Sequence, residues 1–182
     1  MIAIIILILF VFFNLAAPSL SDAVQNENIE SVMNRIEYEK QFALFVECLG
    51  QRESNNDWQV INQIDCMGKW QFAPGTLKYL GYGHITAQEF RHDPNIFPEA
   101  VQYQVLCALL KSNENSLKTY MYYIGQEMAG VTITKSGLLA AAHLGGCQSV
   151  KLFLLSMGRI NKADCNQTSI KAYMKEFAGY MI

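Results

Sequence analysis

Phe42, Phe45, Val46 and Leu49 recur at helical spacing, and the polar residues between them fall on the other side. The pattern predicts an amphipathic helix. Glu53 lies four residues beyond Leu49, so a carboxylate continues the apolar stripe. Asn55, Asn56 and Asp57 then end the helix, because these side chains favour turns and tolerate unusual backbone angles. Upstream, Ile29, Val32, Met33 and Ile36 mark another amphipathic stretch, which either runs on into the first or bends before it. Residues 58–72 carry no helical period. They predict a short irregular hairpin with Gly68 at its tight point.

Short elements follow. Residues 74–80 read as a helical segment ended by Gly81. Thr86-Ala87-Gln88-Glu89 resembles a capping box, and Asp93-Pro94 breaks the chain again. Pro98 suits the first turn of a helix whose buried face is Val101, Val105, Ala108 and Leu109, with Phe97 as its staple. Leu117, Met121, Ile124 and Met128 predict a further helix, closed near Gly130. Residues 131–134 are β-branched and read as a short extended link. A helix then runs from Lys135 or Ser136 through Leu138, Leu139 and Ala142 to Gly145-Gly146, and its Ala and Gly content permits close helix approach. Val150, Phe153, Leu154 and Met157 give a short helix stopped by Gly158. Thr168-Ser169 caps the last helix, with Ile170, Tyr173, Met174, Phe177 and Met181 as its stripe. The sum is a mainly α domain with one irregular hairpin and loop region.

Length and charge narrow the class. At 182 residues the chain holds one domain plus an N-terminal extra. A formal net charge of −2 with no basic stripe gives no sign of a nucleic-acid partner. Ile2 to Phe13 is an unbroken apolar run, shorter than the roughly 20 residues of a spanning helix. Ser21 and Ala23 fit a small-x-small cleavage pattern, as do Ala17 and Ser19. Residues 1–23 therefore read as a signal peptide, with a signal anchor as the rival, and 24–182 as the folded domain. No Lys or Arg precedes the run, which departs from the usual leader. With the leader cleaved, no stable membrane insertion is expected, and the location is periplasmic or secreted. Of the five cysteines, Cys147 and Cys165 fall in predicted loops and are the expected pair in an oxidising compartment. An odd count leaves at least one thiol over. No Cys/His spacing suggests zinc.

Glu53 carries the chemistry. A carboxylate on a buried helix face must be protonated or paired. Desolvation makes such a group a proton donor near neutral pH, and the bland alternative is a helix end facing solvent. Glu53-Ser54 is followed by Gly68-Lys69-Trp70-Gln71 and by Pro74-Gly75-Thr76. This ordered set resembles the lysozyme-like lytic transglycosylases of the soluble lytic transglycosylase superfamily. The aromatic residue before Gln71 and Phe72 after it resemble a secreted and phage-associated muramidase branch. Ala142-His143-Leu144-Gly145-Gly146, with Val150, matches that branch's third motif, with His and Leu where the wider family has Tyr and Asn. Tyr173 stands where the family has a tyrosine leaning on the catalytic glutamate. Asp164-Cys165-Asn166-Gln167-Thr168-Ser169 resembles the loop before it, with Gln167 in place of Gly.

The resemblance implies a lysozyme-like fold and cleavage of peptidoglycan strands between N-acetylmuramic acid and N-acetylglucosamine, without a cofactor or metal. Glu53 would be the single catalytic acid/base and the product a 1,6-anhydro sugar. Ser54, Asn62, Trp70, Gln71, Phe72, His143 and Tyr173 would contact substrate or support the site. Trp70 and Phe72 have a stacking reading and a core reading, and core is favoured for one of them. A hydrolytic muramidase using Asp57 or Asp65 as a second carboxylate is the alternative. Two other classes are a cysteine peptidase built on Cys48 or Cys147 with His143, and a non-catalytic peptidoglycan-binding module.

Overall fold

The computed structural model describes residues 29–164 and 167–182. The leader and Cys165, one half of the expected Cys147–Cys165 pair, therefore lie outside the described residues. The chain divides into two units, Met1–Lys40 and Gln41–Ile182. Within the first, Ile29, Met33 and Ile36 are helical but more than half exposed. The second holds the core and all of the site chemistry below.

Helix α1 spans Ile29–Ser54, so the two predicted stretches form one element. Its buried residues are Phe45, Val46, Leu49 and Gly50. Asn55 and Asn56 end it at φ 56° and 63°, the left-handed region their side chains tolerate. The hairpin that follows has bridges Ile61–Met67 and Met67–Phe72, with Gly68 at φ 79°. A Cβ on Gly68 would lie 2.2 Å from the Gln102 amide, so this glycine answers both a backbone and a packing requirement.

Helix α2 (Pro74–Tyr79), α3 (Ala87–His92) and a 3-10 turn (Pro94–Ile96) come next. Thr86 caps α3 by accepting from the Glu89 amide and donating to the Glu89 carboxylate. Helix α4 (Glu99–Leu117) buries Gln102, Val105, Leu106, Leu109 and Leu110. Ala108, expected on that face, is exposed. The stripe is rotated because Gln102 turns inward to meet hairpin backbone.

The predicted helix over 117–128 does not form. Lys118–Tyr123 is a 3-10 helix, and strands β1 (Glu127–Met128) and β2 (Val131–Thr132) pair as a small antiparallel hairpin. Gly125, Ala129 and Gly130 all have positive φ, which no α-helix accommodates. The apolar spacing was compatible with a helix, but Met128 reaches the core from a strand.

Helix α5 (Lys135–Leu155) starts at the Thr134 cap and kinks at Gly146, whose φ is 74° and ψ 156°. Leu138 to Ala142 are buried without interruption, so this apolar helix is the centre of the core. Helix α6 (Ile170–Glu176), capped by Ser169, packs on it. Gly137 makes the approach possible, since a Cβ there would meet the Met174 carbonyl at 2.6 Å. Ile170, Tyr173, Met174 and Phe177 are buried as expected, whereas Met181 lies past the helix end and is 51% exposed. The architecture is mainly helical, with two small hairpins and an Ala163–Ser169 bridge as its β structure among the described residues.

Candidate active site

Three elements meet at Glu53. The last turn of α1 supplies the carboxyl, α5 supplies His143 and α6 supplies Tyr173. The Glu53 side chain is 15% exposed, enclosed but reachable. The Tyr173 hydroxyl donates to Glu53 Oε1 at 2.5 Å, a length typical of an O–H donor on a carboxylate. Burial first, then the charge and hydrogen bond of Glu53, hold the Tyr173 phenol far above its ordinary pKa. It therefore remains a donor throughout the working pH range.

His143 Nε2 lies 4.0 Å from the same Glu53 oxygen and 2.9 Å from the Trp70 carbonyl. A carbonyl only accepts, so Nε2 carries the proton and donates to Trp70. His143 Nδ1 is buried with no hydrogen-bond partner among the described residues. The imidazole thus ties α5 to the hairpin beside Glu53.

Ser54 binds backbone rather than facing a ligand. Its hydroxyl donates to the Lys69 carbonyl at 2.8 Å, fixing the hairpin against the end of α1. Gln71 has φ 48°, and its Nε2 donates to the Gly68 carbonyl at 2.9 Å. The Gln71 amide oxygen makes no bond among the described residues. Asn62 Oδ1 accepts from the Ile64 and Cys66 amides, each at 2.9 Å, and so builds its own turn.

Trp70 and Phe72 are 2% and 1% exposed. Trp70 Nε1 donates to the Val46 carbonyl at 2.9 Å, and the Phe72 ring packs on Phe97 and His143. Both rings are core anchors of the hairpin. Neither presents a face for a sugar, so the stacking reading is corrected for both. The sequence favoured core for one of them. Both are buried, with Trp70 packed on Phe72 and Tyr103 and Phe72 packed on Phe97.

Sequence reasoning missed three supporting residues. Gln102 is fully buried. Its Oε1 accepts from the Lys69 amide at 2.7 Å, and its Nε2 donates to the Trp58 and Phe97 carbonyls at 2.8 and 2.7 Å. It satisfies hairpin backbone that has no ladder partner. A glutamine beside Val105 and Leu106 on the apolar side of a helix was the available signal. Lys69, with a 10% exposed side chain, pairs with Glu47 at 2.9 Å and Glu99 at 3.0 Å, joining α1, the hairpin and α4. Burial lowers its pKa, but the hydrogen bonds it donates to the two carboxylates outweigh this and raise it overall. Arg52 stacks over the Tyr173 ring at 5.5 Å and reaches Glu176 and Thr168 at 3.4 and 3.3 Å. The burial that would lower its pKa is outweighed by Tyr173, Glu176 and Glu53.

The other acids are engaged elsewhere. Asp57 Oδ1 accepts from the Gln59 amide in a local turn, and Asp65 pairs with Arg91. Cys48, Cys107 and Cys147 are free thiols. Cys147 donates to Asn113 Oδ1 at 3.2 Å, and burial pushes its thiol pKa up, away from a reactive thiolate.

The arrangement can move one proton. It offers a single enclosed carboxyl with a neutral O–H donor on one oxygen, which stabilises the carboxylate left after proton transfer. Compared with family models, with curated proteins and with solved structures, the chain gives no match.

Proposed function

We propose that this protein cleaves the glycan strands of peptidoglycan between N-acetylmuramic acid and N-acetylglucosamine, as a lytic transglycosylase on a lysozyme-like fold. One observation carries the reading. The sequence block that resembles that family places its glutamate at a helix end, 15% exposed, with the matching Tyr173 donating to it at 2.5 Å.

Glu53 acts first as the acid. It protonates the glycosidic oxygen while the sugar C1 gains oxocarbenium character. The resulting carboxylate keeps the Tyr173 hydrogen bond. As base, Glu53 then takes the proton of the muramoyl C6 hydroxyl, whose oxygen closes on C1 to give the 1,6-anhydro end. No water is consumed and Glu53 returns to its starting state. In this reading the Gln71 amide oxygen, whose Nε2 is tied to the Gly68 carbonyl, accepts from an N-acetyl N–H. Ser54 and His143 hold the hairpin that carries Gln71. Such a substrate lies outside the cytoplasmic membrane, so the reading requires export, consistent with the apolar run Ile2–Phe13.

The supporting test is solubilisation of purified sacculi by wild type and Glu53→Gln. The reading expects turbidity loss with wild type only. Binding to sacculi without any solubilisation by wild type would instead mark a non-catalytic peptidoglycan-binding module.

A further inference from the structure

A groove of about 480 Å³ runs along α1 on the side next to Glu53. Gln51, Arg52 and Asn55 form one wall, and Glu176, Phe177 and Tyr180 form the other. Arg52 connects this groove to the candidate active site, since its guanidinium covers the Tyr173 ring whose hydroxyl holds Glu53. We infer that the groove is a subsite for the acidic peptide stem of the muramoyl residue being cleaved, with Arg52 pairing to a stem carboxylate. This inference rests on the reading of Glu53 as the glycan-cleaving acid.

The donor count supports it. A guanidinium has five N–H donors in a planar fork. Arg52 uses its Nε toward Glu176 and one Nη2 hydrogen toward Thr168, both at long distance. The remaining donors have no hydrogen-bond acceptor among the described residues, and the side chain is 42% exposed. Such a fork matches a carboxylate bidentately. The wall beside it suits a peptide more than a sugar ring. Gln51 and Asn55 present amides, and Tyr180 edges the groove from the C-terminal side. Glu176 engages Arg52 through Oε2, leaving its other oxygen for an amine on the same stem. A stem carries both kinds of charge, whereas a strand stripped by an amidase keeps only the lactyl carboxylate on the sugar itself and no amine.

Steady-state cleavage by the full chain, on strands with stems and on strands stripped of them by an amidase, tests the inference. Wild type is expected to show a KM about five- to tenfold lower on the stemmed strands, the range of one charge-assisted pair at a partly exposed site. Arg52→Gln should raise KM on stemmed strands until the two substrates differ by less than twofold. Arg52→Lys should restore part of the preference, because it keeps the charge but not the fork. No preference in wild type overturns the inference. So does an Arg52→Gln defect in kcat that is equal on both substrates, which would make Arg52 a support for Tyr173 alone. If wild type cleaves neither substrate, the Glu53 reading fails separately. Calorimetry with a soluble muramoyl tripeptide then decides the subsite: binding abolished by Arg52→Gln supports it, and absent or unchanged binding overturns it.

Discussion

Replacing Tyr173 with phenylalanine isolates one hydroxyl. The ring would remain 5.4 Å from Phe177 and beneath Arg52. At 2% exposure no bulk water takes the place of the lost O–H. The hydroxyl bonds to Glu53 in both protonation states, but not equally. A bond to a charged acceptor is worth about 1.5–3 kcal/mol and one to a neutral acceptor about 0.5–1.5 kcal/mol. The difference, about 1–1.5 kcal/mol, is the help given to a carboxyl as it loses its proton. It corresponds to a fall in kcat of about five- to twelvefold, with KM nearly unchanged. Stability should fall by no more than about 1.5 kcal/mol, or about 6 °C in Tm for a domain of this size. The assay is initial-rate release of soluble fragments from sacculi, with a thermal melt on the same preparations. A folded Tyr173→Phe protein with kcat within twofold of wild type would refute the role given to the hydroxyl.

Two further predictions concern what holds the site in place. Gln102→Leu strands the Lys69 amide and the Trp58 and Phe97 carbonyls, and is expected to cost about 3 kcal/mol or more, measured by urea denaturation; a loss below 1 kcal/mol would contradict the hub role. Glu114 has its pKa lowered, first by the hydrogen bond from Lys135 at 2.8 Å. A depressed folded-state pKa adds stability above the ordinary carboxylate range and loses it as pH falls. Glu114→Gln should therefore lower Tm by a few degrees at pH 7 and by nothing at about pH 2, a difference read from paired melts; an equal effect at both pH values would exclude the ion pair as its source.

Much of the fold was legible because its helices carry local signals. Thr86 and Ser169 each cap a helix through their own side chain, and the α1 stripe ends at Glu53 as read, whereas the α6 stripe stops at Phe177, short of the expected Met181. The stretch 117–128 misled because apolar spacing alone does not report backbone sign, and Gly125, Ala129 and Gly130 bend it into a turn and hairpin. Within the site, the Glu53–Tyr173 contact spans 120 positions and no local period encodes it. It was reachable only through the motif resemblance. Trp70 and Phe72 illustrate the reverse case. Aromatic residues in a hairpin next to a carboxylate look like sugar platforms, but Tyr103 and Phe97 pack on them from distant segments. The tertiary roles of Gln102 and Arg52 were hidden for the same reason, since each bonds to segments far along the chain.

The central claim is that Glu53 alone serves as acid and then base in cutting the glycan strand. Mass spectrometry of the muropeptides released from purified sacculi by wild type and Glu53→Gln tests it most directly. The account predicts 1,6-anhydro-ended fragments from wild type and none from the variant. Reducing-ended fragments would show a hydrolase instead, and no cleavage by wild type, or equal cleavage by Glu53→Gln, would contradict the claim.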